Sequence, residues 1–172
     1  MEQQATHETQ SRWWGAQSRL AAWIVVVVFV LDQALKTWVL FGLDLPRRGT
    51  IPLLPFFDLT MVWNPGISYG MLQDYGELAR WGLVVLSLIA AVALWLWAAR
   101  VETARLVTAI ALIIGGALAN GLDRILYGAV ADFAHLFWGG FSWYVFNLAD
   151  AAIVAGVLLL LYDSVFGDYG KT

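Results

Sequence analysis

The chain contains no cysteine, which removes disulfides, thiolate nucleophiles and cysteine-based metal sites from consideration. Histidine is nearly as scarce. His7 and His135 are far apart and form no ligand pair, so no metal and no cofactor is expected. Charge is thin as well: 13% of the residues are Asp, Glu, Lys or Arg, against roughly 25% in a soluble domain. The net charge of -3 and the lack of any block of like charges leave no basic field for nucleic acid. Proline is confined to one stretch, with Pro46, Pro52, Pro55 and Pro65 all between Gly42 and Ala79.

What the chain has instead is apolar length. Of its 172 residues 60% are hydrophobic, and the mean hydropathy is +0.70. Roughly 20 helical residues cross a bilayer core, and four stretches meet that length: about 20–41, 81–99, 104–122 and 146–166. The first is too long for a signal-peptide core and is followed by no small-residue cleavage site, so it reads as a retained helix. Gly115, Gly116, Ala117, Ala119 and Gly121 in the third supply the small surface that helix contacts in lipid prefer. The expected fold is therefore an all-α membrane protein of one domain, without internal repeats.

The proline-bearing segment 42–79 breaks helices and predicts a small extramembrane β-platform. Segment 123–145, with Gly128, Gly139, Gly140 and many aromatics, predicts a loop or helix cover. An even number of spans puts both segments on one side and both termini on the other. Most tryptophans, among them Trp13, Trp14, Trp38, Trp81, Trp95, Trp138 and Trp143, fall near span ends, as an aromatic belt requires. Positive charge ties between the two sides, Arg12, Arg19, Arg100, Arg105 and Lys171 against Lys36, Arg47, Arg48, Arg80 and Arg124. The two arginines flanking the short connection after span two favour cytoplasmic termini.

Several polar residues in this oily chain call for partners. Asp32 and Lys36 are spaced i, i+4 and can neutralise each other, either as a structural pair that snorkels to the interface or as support for a nearby site. Trp63-Asn64-Pro65-Gly66-Ile67-Ser68-Tyr69-Gly70 reads as a turn with close backbone approach. Asn120 and Arg124 share a helical face beside Asp123. Asp132 and Asp150 are the least expected charges, since Asp150 precedes an uncharged run from Ala151 to Tyr162. Singly, Asp132 reads as a solvated loop residue and Asp150 as a helix N-cap. Together at the membrane edge they would share one proton, one acting as general base on water and the other polarising a scissile carbonyl.

Taken in order, five motifs resemble the lipoprotein signal peptidase (signal peptidase II) family over nearly the whole chain. They are Asp32-Gln33-Ala34-Leu35-Lys36, Asn64-Pro65-Gly66 with Tyr69-Gly70, Gly115 through Asn120 to Asp123-Arg124, Val130-Ala131-Asp132-Phe133, and Phe146-Asn147-Leu148-Ala149-Asp150. Leu35, Pro65 and Tyr69 depart from the family's usual residues. The resemblance implies a monomeric aspartic endopeptidase of the bacterial inner membrane, with cytoplasmic termini and its site near the periplasmic face. It would cut prolipoproteins just before the diacylglyceryl-modified cysteine and bind globomycin-type inhibitors. Asp132 and Asp150 would be catalytic. Asn64, Gly66, Asn120, Arg124 and Asn147 would bind substrate or orient the dyad, and Asp32, Lys36 and Asp123 would be structural. A small proton-coupled transporter explains the buried acids too, and an assembly factor explains the glycine seam.

Overall fold

The structure, a computed structural model, describes residues 13–66 and 76–166. Tyr69 and Gly70 of the second motif lie outside the described residues, as do His7, Arg12 and Lys171. Helix α1 spans Ser18–Thr37 and continues as a wider π-helical turn, Trp38–Gly42. A short α2, Leu45–Arg48, leads into β1, Thr50–Leu54, and β2, Phe57–Asn64. Helix α3 is Gly76–Ala98 and α4 is Ala104–Tyr127. Strands β3, Val130–Trp138, and β4, Phe141–Ser142, precede α5, Leu148–Phe166.

Among the described residues, four helical segments are long and apolar enough to cross a membrane: Ser18–Gly42, Gly76–Ala98, Ala104–Tyr127 and Leu148–Phe166. The expected spans are found with shifted ends. Helix α3 begins before Arg80, because Arg80 pairs with Glu77 and donates to the Arg124 and Ile125 carbonyls at the end of α4. Helix α4 continues through Asp123 and Arg124 to Tyr127, since a paired charge does not stop a helix. Gly128, at φ 80°, ends it in the left-handed region.

Helix α4 packs against α1, α3 and α5 and is the centre of the bundle. Its small residues explain why. A Cβ on Gly116 would stand 2.5 Å from the Ala149 carbonyl oxygen of α5, and one on Gly115 would stand 2.8 Å from Val28 Cβ of α1. Between helices in lipid, close backbone approach and dispersion replace the hydrophobic effect as the source of cohesion. At the far end of α4, Arg105 Nε donates to the buried Asp163 at 2.6 Å, so the last span's second carboxylate is also satisfied.

The strands form one antiparallel sheet in the order β1-β2-β3-β4. Its root rests on the C-terminal end of the first span, where Leu59 and Phe133 pack with Val39 and Leu45. Segment 123–145, expected as a loop or helix over the site, is instead one more turn of α4 followed by β3 and β4. The turn at Gly139 and Gly140, both at positive φ, returns the chain, and its aromatic residues pair into the platform. The sheet is two-faced. Thr50 pairs with Thr60, Asp58 with His135 and Phe137 with Ser142, and a polar chain crosses this face from Thr50 through Thr60, Asp58 and His135 to Ser142. Ala134, Leu136 and Trp138 alternate onto the other face, and a register shift between Leu59 and Val62 interrupts the alternation before Asp132.

Candidate active site

Asp132 and Asp150 lie on different elements, and backbone hydrogen bonds bring those elements together. The Phe133 and Ala134 N–H groups donate to the Phe146 carbonyl at 3.1 and 2.8 Å, and Phe146 N–H returns a bond to Ala134 at 3.0 Å. The start of α5 is thereby fastened beside β3. Asn147 then occupies the capping position that the sequence suggested for Asp150. Its Oδ1 accepts the Asp150 N–H at 2.9 Å, and the Asp150 carboxylate accepts the Asn147 N–H at 3.3 Å. This is a capping box with an aspartate as its third residue. One side chain ties the two acids, because Asn147 Nδ2 also donates to Asp132 Oδ1 at 2.6 Å.

The remaining oxygens are held by amides. Asn64 Nδ2 donates to Asp132 Oδ2 at 3.1 Å and Asn120 Nδ2 to Asp150 Oδ1 at 2.8 Å. Asn120 has its orientation set from behind, since its Oδ1 accepts from Lys36 Nζ at 2.9 Å and from Asn147 Nδ2 at 3.1 Å. Lys36 does not snorkel. It is 1% exposed and lies 2.7 Å from both Asp32 and Asp123. Asp32 Oδ1 accepts the Ala149 N–H at 2.8 Å, and Asp123 Oδ2 accepts the Ala131 N–H at 3.2 Å. The inner ion group thus holds the residue just before each acid of the pair.

A cavity of about 250 Å³ opens on this arrangement, lined on its polar side by Asn64, Gly66, Asn120, Arg124 and Asp150 and on its apolar side by Val130, Tyr144, Ile153 and Val154. Arg124 is 8% exposed. Its Nη1 donates to the Asn120 carbonyl and its Nη2 to the Gly66 carbonyl at 2.7 Å, while its buried Nε has no partner among the described residues. Four carboxylates, at 32, 123, 132 and 150, face two cations, Lys36 and Arg124. That balance favours a retained proton. Burial first, and the Asp150 charge second, push the Asp132 carboxyl up to about 7. Such a group is divided between acid and base near neutrality.

The structure brings every candidate site residue of the sequence reading into one connected cluster: Asp150, Asn64, Gly66, Asn120 and Arg124 line the cavity, Asp132 and Asn147 are hydrogen-bonded directly to those lining residues, and Asp32, Lys36 and Asp123 stand behind them. Two contributors had no role in that reading. Gln33 Nε2 donates to Asp123 Oδ1 at 2.8 Å and to the Ala119 carbonyl at 3.2 Å, and its signal was a polar amide within an apolar helix. Tyr144 lines the cavity from the tail of the aromatic segment, and nothing local distinguishes it from its neighbours.

Residues 24–166 match the family model described as signal peptidase (SPase) II. A protein named lipoprotein signal peptidase from Methylobacterium radiotolerans is 53% identical over 147 residues, covering 86% of this chain and 86% of that protein. Another of that name, from Rhodopseudomonas palustris, is 48% identical over 153 residues, covering 87% and 93%. Among solved structures, a bacterial membrane enzyme obtained by the in meso method superposes with a TM-score of 0.74 at 26% identity, covering 90% of this chain and 94% of that one.

Proposed function

This chain belongs to the signal peptidase II family, and on that premise we propose that it is an aspartic endopeptidase whose catalytic pair is Asp132 and Asp150. It is a multi-pass protease of the bacterial inner membrane that removes signal peptides from prolipoproteins. The observation that carries the aspartic mechanism is Asn147, buried and hydrogen-bonded to both carboxylates, one of which, Asp150, lines the cavity.

Asp132 carries the proton and Asp150 is ionised. Asp150 takes a proton from water as the water oxygen adds to the scissile carbonyl, and Asp132 hydrogen-bonds the carbonyl oxygen as it gains negative charge. Collapse of the tetrahedral intermediate breaks the C–N bond. The proton first taken from water goes to the leaving amine of the diacylglyceryl cysteine. Arg124, with Nε unpaired and two carbonyls already held, is the donor for a substrate carbonyl, and the Asn64–Gly66 turn presents backbone to the same peptide. Asn120 and Asn147 orient the pair.

The substrate's acyl chains stay in lipid while its peptide is cut, which requires irregular backbone at interface depth covered by protein. The β-sheet over the outer end of α1 supplies that cover. Both termini are cytoplasmic and the sheet is periplasmic, where the anchored precursor emerges. A gel-shift assay of a diacylglyceryl precursor tests the reading. Asp132→Asn and Asp150→Asn each abolish cleavage while remaining inserted and folded, and globomycin-type cyclic peptides block the wild type. Normal processing by either variant overturns the assignment.

A further inference from the structure

The apolar end of the β-sheet stands apart from the cavity and has no role in the chemistry. Two turns meet there. The β1–β2 turn carries Leu54 and Phe56, and the β3–β4 turn carries Trp138 and Phe141. Phe137 N–H donates to the Phe56 carbonyl at 3.0 Å, and the Phe56 and Trp138 rings lie 6.4 Å apart. Trp138 is 76% exposed and Phe141 62%. No charged residue occurs from Gly49 to Phe57 or from Leu136 to Phe146.

We propose that this tip is a membrane anchor, whose apolar face lies in the headgroup–acyl boundary of the phospholipid bilayer and so sets the depth of Asp132. The proposal rests on the four-span embedding and goes beyond the peptidase reading. Three observations point to lipid as the occupant. The first is reach: β3 runs from Val130, beside the end of α4, to Trp138, roughly 25 Å at 3.3 Å per residue. The core that fastens the sheet to the first span takes Leu59 and Phe133 but none of Leu54, Phe56, Trp138 or Phe141, so the tip extends beyond that support.

The second is sidedness. Trp138 pairs with Phe141 and Leu54 with Phe57, whereas the opposite face carries the Thr50–Thr60–Asp58–His135–Ser142 polar chain that suits water. The third is continuity and charge. An apolar groove of about 490 Å³ runs under the sheet from Trp38 of the first span to Leu53 and Phe146, joining the lipid-facing wall of the helices. Arg48 stands at this groove and makes no ion pair among the described residues, which places a cation at phosphate depth. Aromatics facing acyl chains with arginines at the phosphates are the pattern of an interfacial segment. Because Asp132 and Trp138 lie on one continuous strand, the depth of the tip is transmitted to the acid.

The absence of cysteine makes the test direct. Single variants Leu54→Cys, Trp138→Cys and Phe141→Cys, each carrying a nitroxide label, are placed in phosphatidylethanolamine–phosphatidylglycerol vesicles beside a Thr50→Cys reference. The tip labels show an oxygen-to-nickel-chelate accessibility ratio several-fold above that at Thr50. Ratios equal to the reference, or tip labels closed to both reagents as under a second copy or another protein, overturn the proposal. In a second arm, a Trp138→Asp/Phe141→Asp double variant loses cleavage several-fold in vesicles and keeps wild-type cleavage in detergent micelles. Equal loss in both media overturns it, and since the label measurement needs no catalysis, its failure is distinct from failure of the peptidase assignment.

Discussion

Asn147 links three polar side chains in the site, capping α5, bonding Asp132 and touching Asn120. Asn147→Ala removes one hydrogen bond to an ionisable group, that to Asp132, worth about 1.5–3 kcal/mol, together with the bonds to Asn120 and the Asp150 N–H, so kcat falls roughly tenfold to a hundredfold with a smaller change in KM. Steady-state cleavage of a lipid-modified precursor checks this split. Asp132 also dictates the alkaline side of the pH profile. With its carboxyl at about 7 and its protonated form required, cleavage declines as pH rises through about 7. Stability follows the same group. Its raised value means the fold holds the proton more tightly than the unfolded chain does, so its contribution is complete below 3.8 and is lost as pH climbs to about 7. Thermal unfolding across that interval reads it.

At the scale of elements, the seam between α4 and α5 decides whether the two acids meet. Ala149, the neighbour of Asp150, has its carbonyl oxygen 2.5 Å from where a Cβ on Gly116 would be, and Ile153 Cγ1 would be 2.7 Å from that same Cβ. A backbone atom cannot swing aside as a side chain can. Gly116→Ala therefore pushes the start of α5 away, costing about 1–3 kcal/mol of stability and most of the activity. Gly121→Ala is the control, since its nearest contact is Ser87 Cβ at 3.5 Å and both properties stay near wild type. Thermal melts in detergent together with cleavage assays separate the two variants.

For the molecule as a whole, the inner ion group joins α1, α4, β3 and α5 through one buried cation. Lys36→Met leaves Asp32 and Asp123 without it, a loss of about 3–5 kcal/mol for a broken buried pair. Lys36 also lowers the Asp132 value through its charge, so the alkaline limb of the surviving activity moves to higher pH, a shift that a purely structural role would not produce. The proposed orientation of the bundle rests on parity and on the proposed chemistry, since the positive charges tie between the two sides. Single cysteines introduced at Thr50 and at Glu102 are expected to label from opposite sides of sealed spheroplasts, Thr50 from outside.

The sequence alone determined the membrane class, the four spans, the glycine seam and the identity of the polar residues needing partners, because hydropathy, residue size and an uncompensated charge are local properties. It misplaced the ends of α3 and α4, where Arg80, Asp123 and Arg124 look like boundaries until their partners are known. It also read segment 123–145 as a cover, since strand pairing depends on residues 57–64, far away in the chain. Only the tertiary structure decided that Asp132 and Asp150 share Asn147, that Lys36 is buried between two acids and that Gln33 belongs with them. Those facts rest on contacts between distant segments, which the packing of α4 against α1 and α5 and the bridge from Phe146 to Ala134 create.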